Sequence, residues 1–128
     1  MEALSRILAV AVGGAAGSAL RYLFSGWVQG RAIGFPWGTL AVNVSGCLLI
    51  GFLATRFDAA AVDPRLRAAV LIGVLGGYTT FSSFSWETLK LIQSGQFARA
   101  MGNVLGSVGL CMIAVYAGCW LARRGAGS

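Results

Sequence analysis

Four stretches of this chain are apolar over the length that a helix needs to cross a bilayer. They cover roughly residues 4–24, 37–57, 66–93 and 97–121, and short loops separate them. Because one span takes about 20 mainly apolar residues, four spans use nearly the whole chain. Only 11% of the 128 residues are charged, which is far below the fraction in soluble domains. We therefore predict an all-α integral membrane protein with a single four-helix membrane domain over residues 1–128.

The third apolar stretch contains a polar segment with two glycines, Gly76 to Glu87 (GGYTTFSSFSWE). Its glycines and threonines favour a helix only weakly, because glycine keeps backbone freedom and threonine is restricted at its first torsion. A helix break leaves main-chain groups without partners, and the bilayer tolerates this only where the break is buried in protein or lines a watery passage. We predict that the third helix is broken here and that the break marks a binding or conduction site.

Three of the polar residues within the other spans each allow two interpretations. Arg21 either extends to the membrane surface or faces a partner or an anion path. Asn43 must face another helix or a pore, because an unsatisfied amide is costly in lipid. Ser107 either bonds back to its own helix or offers its hydroxyl elsewhere.

Small residues predict close helix contacts at two places. Gly13 and Gly17 form a GxxxG spacing in the first span, and Gly46 lies between Ser45 and Cys47 in the second. Helices in membranes approach closely at such residues. Packing is therefore the expected role of these glycines.

A helix that resumes after Thr79 places Phe81 and Phe84 on one side, three residues apart. Two aromatic residues at this spacing usually belong to a core. Here hydroxyl-bearing residues alternate with them, so that donors lie beside ring edges: Thr80, Ser82, Ser83 and Ser85. This mixture is unusual for a packing face.

Several functional classes have little support in the sequence. There is no histidine, and the three cysteines lie in apolar stretches without a paired metal or redox spacing. We therefore predict that the protein is not an enzyme. The net charge of +6 is scattered at the membrane edges, which argues against a nucleic-acid partner and for contacts with the lipid bilayer. The alternative function is a small four-helix, dual-topology multidrug or cation exporter, but such an exporter needs a carboxylate within its first span, and this chain offers only Glu2.

The positive charges fix the orientation of the chain only weakly. Four spans place both termini on one side, and the two sides then carry six and four Lys or Arg residues: Arg6, Arg56, Arg65, Arg67, Arg123 and Arg124 against Arg21, Arg31, Lys90 and Arg99. A chain of this size also has difficulty enclosing a polar path alone. We therefore expect insertion in both orientations and an antiparallel homodimer.

Three motifs resemble one known family, the Fluc (CrcB) fluoride channels. They are GVLGGYTTFSSFSWE at residues 73–87, WGTLAVNVSG at residues 37–46 and GSALRY at residues 17–22. The resemblance covers essentially the whole chain, and GGxTTFSxF is a specific signature. It implies a dual-topology homodimer with two pores in the cell (inner) membrane, which exports fluoride passively and lowers its cytoplasmic level.

The resemblance also implies roles for individual residues. It implies a structural, untransported Na⁺ at the dimer centre, held by the main-chain carbonyls of Gly76 and Thr79. It implies pores lined by Asn43, Phe81, Ser83, Phe84 and the fourth-span Ser107. Asn103 departs from the pattern, since some members carry a pore-facing tyrosine there, and the wall of the passage at this position is left open.

Physical chemistry is consistent with these roles but does not select fluoride over chloride. Fluoride is small and tightly hydrated, so a pore must replace its water with many close donors. Hydroxyls of Thr80 and Ser83, the Asn43 amide and the positive edges of phenyl rings are such groups. The expected lining is neutral apart from Glu87, and Arg21 would raise the anion concentration in the vestibule.

Overall fold

The computed structural model describes residues 1–125, which form a bundle of helices. In chain order these are α1 (Glu2–Gln29), α2 (Trp37–Ala60), α3 (Pro64–Arg67), a π-helical segment (Ala68–Val74), α4 (Leu75–Tyr78), α5 (Phe81–Gln93) and α6 (Phe97–Arg124). Four helical stretches are long and apolar enough to cross a membrane: α1, α2, the broken run Pro64–Gln93, and α6. This confirms the all-helical fold with four spans and a break in the third.

Two loops are shorter than the sequence suggested. α1 continues past Gly26 to Gln29, whose side chain donates hydrogen bonds to the carbonyls of Ala32 and Phe35, each at 3.1 Å. α2 continues past the predicted end of its span near residue 57 to Ala60, so the loop before Pro64 is reduced to a short turn. Asp63 ends this turn as an N-cap, since its carboxylate accepts from the Arg65 N–H at 2.7 Å.

The break in the third span lies at the threonines and not at the glycines. Thr79 and Thr80 are both extended, with ψ of 157° and 115°, whereas Gly76 and Gly77 lie within α4. Gly77 is needed instead for packing, because a Cβ there would lie 2.6 Å from the Gly14 carbonyl oxygen. The break therefore lies within the predicted segment but is confined to its threonines.

Glycines bring α1 against the first half of the third span. A Cβ at Gly13 would lie 2.3 Å from the Ala69 carbonyl oxygen, and one at Gly17 would lie 2.0 Å from that of Val74. Both acceptors belong to the π-helical segment. The predicted packing role of the GxxxG pair is confirmed.

α2 packs along α6 through a second set of glycines that sequence reasoning missed. A Cβ at Gly51 would lie 2.2 Å from the Val115 carbonyl oxygen, and one at Gly118 would lie 2.2 Å from that of Leu48. Contacts between α1 and α2 and between α5 and α6 join the two helix pairs. The outer surface is mostly apolar, as expected for a bundle that contacts lipid.

Candidate functional site

The side chain of Asn43 on α2 closes the gap in the third span. Its Nδ2 donates to the Thr80 carbonyl oxygen at 3.0 Å, and its Oδ1 accepts from the Thr80 N–H at 2.8 Å. The amide therefore replaces both main-chain partners that Thr80 lacks outside a helix. Of the two interpretations of Asn43, bonding between helices is realised, and one N–H of the amide is left for another acceptor.

The Thr80 hydroxyl starts the second half of the span. It accepts from the Ser83 N–H at 3.2 Å, as an N-cap does, and it donates to the Ser83 hydroxyl at 3.1 Å. The break is thus built from polar groups that satisfy one another. It also fixes where the hydroxyls of Thr80 and Ser83 lie.

A mainly apolar cavity of 340 Å³ gathers most of the predicted pore residues. Its lining includes Asn43, Thr80, Phe81, Phe84 and Ser107, together with Gly76 and Thr79. The phenyl rings of Phe81 and Phe84 lie with centroids 5.3 Å apart at an interplanar angle of 46°. Phe84 is buried, but Phe81 is 77% exposed, so this side of the cavity is open on a single subunit.

A smaller polar cavity of 240 Å³ lies on the other side of the break. It is lined by Arg21, Thr80 and Ser83, with further hydroxyls from Ser18, Tyr22, Ser25 and Thr39. Neither ion pair within residues 1–125 involves Arg21. A guanidinium surrounded by hydroxyls can attract an anion, and Thr80 lines both this cavity and the apolar one.

Thr39 and Glu87 form a contact that the sequence did not reveal. The Thr39 hydroxyl donates to Glu87 Oε1 at 2.7 Å, and Glu87 Oε2 is buried without a hydrogen-bond partner in the described residues. Thr39 lines the polar cavity, whereas Glu87 lines a third cavity of 320 Å³ beside Lys90. The spacing of Thr39 and Asn43, one helical turn apart on α2, places both on one face but does not indicate Glu87 as a partner.

A cation site needs oxygen atoms that no hydrogen-bond donor occupies, and the main-chain carbonyls of Gly76 and Thr79 meet this requirement. Within residues 1–125, no hydrogen bond across the break reaches either oxygen. The hydroxyls that might have satisfied them are engaged elsewhere: that of Thr79 donates to the Leu75 carbonyl at 2.9 Å, and that of Thr80 donates to Ser83. Carbonyl oxygens are hard ligands that suit a small cation.

Asn103 does not line any of these three cavities. It is only 2% exposed, and its amide donates to the Thr88 hydroxyl at 2.9 Å. Ser107 donates at 3.4 Å to the Asn103 side chain and not to the main chain of its own helix. The sequence left open what forms the wall at position 103, and Asn103 lines none of these three cavities.

Comparison with known proteins identifies one family. The family profile described as "CrcB-like protein, Camphor Resistance (CrcB)" matches residues 8–119. The chain is 49% identical over 125 residues to a fluoride-specific ion channel FluC of Geobacter sulfurreducens. The matched region covers 94% of this chain and 99% of the relative. It is 48% identical over 122 residues to a FluC of Rhizobium meliloti, with 94% and 98% covered. A FluC of Anaeromyxobacter is 46% identical over 127 residues, with 97% and 100% covered.

Proposed function

This chain belongs to the CrcB-like family, and we propose that it is a fluoride-selective channel through which fluoride leaves the cell passively. The protein is a multi-pass membrane protein, and its relatives are channels, which confirms the prediction that it is not an enzyme. The observation that carries the proposal is the meeting of two cavities at Thr80. One contains Arg21 and hydroxyl groups, and the other contains two phenyl rings.

The path we propose runs from Arg21 past Thr80 and Ser83 to Phe81 and Phe84. Arg21 attracts the anion, and the Ser83 hydroxyl, which accepts from Thr80 and is therefore free to donate, replaces part of the water around the anion. The rings of Phe81 and Phe84 present positive edges. These edges stabilise an anion, but more weakly than the full charge of a cation would. The free N–H of Asn43 adds a donor beside the rings, and Ser107, whose hydroxyl donates to Asn103, lines the same cavity.

We also propose that two copies of the chain assemble as an antiparallel, dual-topology homodimer. The exposed Phe81 supports this assembly, since the apolar cavity needs a second subunit to close it. The Gly76 and Thr79 carbonyls would contribute two oxygens from each copy, so a pair of copies offers four. When bound there, Na⁺ would supply a fixed positive charge that stabilises the two breaks, and it would not be transported.

The exporter alternative has little support. Glu2, the carboxylate of the first span, lies at the exposed start of α1 and pairs with Arg6 at 3.8 Å. It faces no cavity among those described. A carboxylate in this position cannot exchange a proton for a substrate at the centre of the bundle.

Fluoride efflux from proteoliposomes tests the proposed function. Vesicles loaded with KF or KCl are treated with a potassium ionophore, and anion release is followed with ion-selective electrodes. We expect rapid fluoride release and chloride release no faster than from protein-free vesicles. Equal rates for the two anions, or fluoride release at the protein-free rate, would contradict the proposal.

A further inference from the structure

A buried chain of hydrogen bonds connects α6 to the main chain of α5. Asn103 is 2% exposed, and its Nδ2 donates to the Thr88 hydroxyl at 2.9 Å. Thr88 is 9% exposed, and its hydroxyl donates in turn to the Phe84 carbonyl at 2.7 Å. The chain therefore runs from an amide on α6 to the residue that carries one of the two cavity rings.

This series of hydrogen bonds from Asn103 through Thr88 to Phe84 constrains the rotation of α5 about its own axis. Thr88 and Phe84 are one helical turn apart and lie on the same face. α5 is preceded by the extended Thr79 and Thr80, so the first half of the span does not set its rotation through continuous helical hydrogen bonds. A rotation that separates Thr88 from Asn103 would leave a buried amide without its partner, which is costly away from water. The same rotation would turn the Phe84 ring out of the cavity.

We propose that Asn103 is a positioning residue: by holding Thr88, it fixes α5 so that Phe84 faces the same cavity as Ser107. Ser107 belongs to this arrangement, because it donates to Asn103 Oδ1 at 3.4 Å and lines the apolar cavity. Asn103 itself lines none of the three cavities described. The effect of Asn103 on conduction rests on the proposed function as a fluoride channel. Its effect on the orientation of the Phe84 ring does not.

Two variants of matched shape test the hydrogen bond. Asn103→Leu removes the amide, Thr88→Val removes the hydroxyl, and Thr88→Ser retains it as the conservative control. We expect each of the first two to lower fluoride efflux roughly tenfold, a change that one hydrogen bond between membrane helices can account for. We also expect them to lower the fluoride-to-chloride permeability ratio, which a smaller folded fraction alone would not change. Thr88→Ser should retain wild-type values.

The double variant Asn103→Leu/Thr88→Val separates positioning from stability. It removes both partners of the Asn103–Thr88 hydrogen bond together, and the Ser107 hydroxyl can bond back to a carbonyl of its own helix, so its thermal stability should recover relative to the single variants, whereas fluoride efflux should stay low. Recovery of both stability and wild-type efflux would overturn the proposal, because the network would then only satisfy buried polar groups.

Ring orientation can be measured without conduction. With 4-fluorophenylalanine at position 84, the ¹⁹F resonance of the ring reports its surroundings. Asn103→Leu and Thr88→Val should shift this resonance, and Thr88→Ser should not. An unchanged resonance in both single variants would refute the positioning role. This result is independent of whether the wild-type protein conducts fluoride, so a failure of the proposed function is recognised separately.

Discussion

At the scale of single residues, the two cavity phenylalanines differ in burial although they were predicted together. Phe84 is 8% exposed and Phe81 is 77% exposed. We expect Phe81→Ile and Phe84→Ile each to reduce fluoride efflux sharply, because isoleucine keeps the bulk but has no positive ring edge. Only Phe84→Ile should also lower the thermal stability of the isolated subunit, since its side chain belongs to the core. Proteoliposome efflux and thermal unfolding in detergent measure the two effects.

The control for the ring variants is Phe97→Ile, at the exposed start of α6. Phe97 is 66% exposed and lines none of the cavities described, so its replacement should leave efflux unchanged. Wild-type efflux in both cavity variants would show that the rings serve packing alone.

Asn43 supports the break as well as the cavity, so its replacement has two consequences. Asn43→Ala removes both hydrogen bonds to the Thr80 main chain and should lower stability by about 1 kcal/mol or more, together with fluoride efflux. Thr55→Ala is the control, since Thr55 bonds only to Gly51 on its own helix, at 2.8 Å. Thermal unfolding and efflux provide the measurements. If Asn43→Ala were as stable as the control, the amide would not support the break.

The sequence predicted that the Asn43 amide needs a hydrogen-bond partner, but not which residue that partner is. Asn43 was identified because an amide in an apolar span needs a hydrogen-bond partner. That argument does not indicate which residue the partner is. Its pairing with Thr80, and that of Thr39 with Glu87, depend on how α2 and α5 are rotated against each other. Side-chain spacing within one helix carries no information on that rotation.

At the scale of elements, α1 and the third span approach closely, so an added methyl group should have different effects on stability at two glycines of α1. Gly17→Ala should destabilise the protein by about 1–3 kcal/mol through overpacking, because its Cβ would lie 2.0 Å from the Val74 carbonyl oxygen. Gly14→Ala is the matched control, with its nearest contact at 3.9 Å from the Gly73 carbonyl oxygen. Thermal unfolding of the two variants side by side measures the difference, and equal melting temperatures would argue against the close approach.

The break was predictable as a feature, but its position was not. Both GG and TT weaken a helix, so propensity alone does not choose between them. Tertiary contacts decide: Gly77 is held in helix where the Gly14 backbone packs against it, and Thr80 finds its partner in Asn43. The π-helical segment Ala68–Val74 likewise has no signal in an apolar run of ordinary helix formers.

At the scale of the whole molecule, the near balance of positive charges predicts insertion in both orientations. A reporter fused to the C-terminus should therefore be detected on both membrane faces, whereas a matched fusion with extra Lys residues in one loop should shift it to one face. Accessibility of the reporter to a membrane-impermeant label measures the distribution. A wild-type reporter on one face only, with cross-links that join parallel subunits, would contradict the antiparallel homodimer.

The proposed central Na⁺ leads to a prediction about the assembled protein and not about one subunit. Among residues 1–125, the carbonyls of Gly76 and Thr79 have no donor across the break, and two oxygens on one chain are too few for a hard cation, so the proposed site would require the second copy. Dialysis against a sodium-free buffer with a large organic cation should therefore lower both fluoride efflux and the stability of the dimer, and returning Na⁺ should restore both. No sodium current should accompany the fluoride current, because the proposed ion would be held by main-chain groups of both copies. Potassium at the same ionic strength serves as the control, since K⁺ has a larger radius and would need its oxygen ligands to lie farther apart. Full fluoride efflux and an unchanged dimer in the sodium-free protein would show that water satisfies these carbonyls instead.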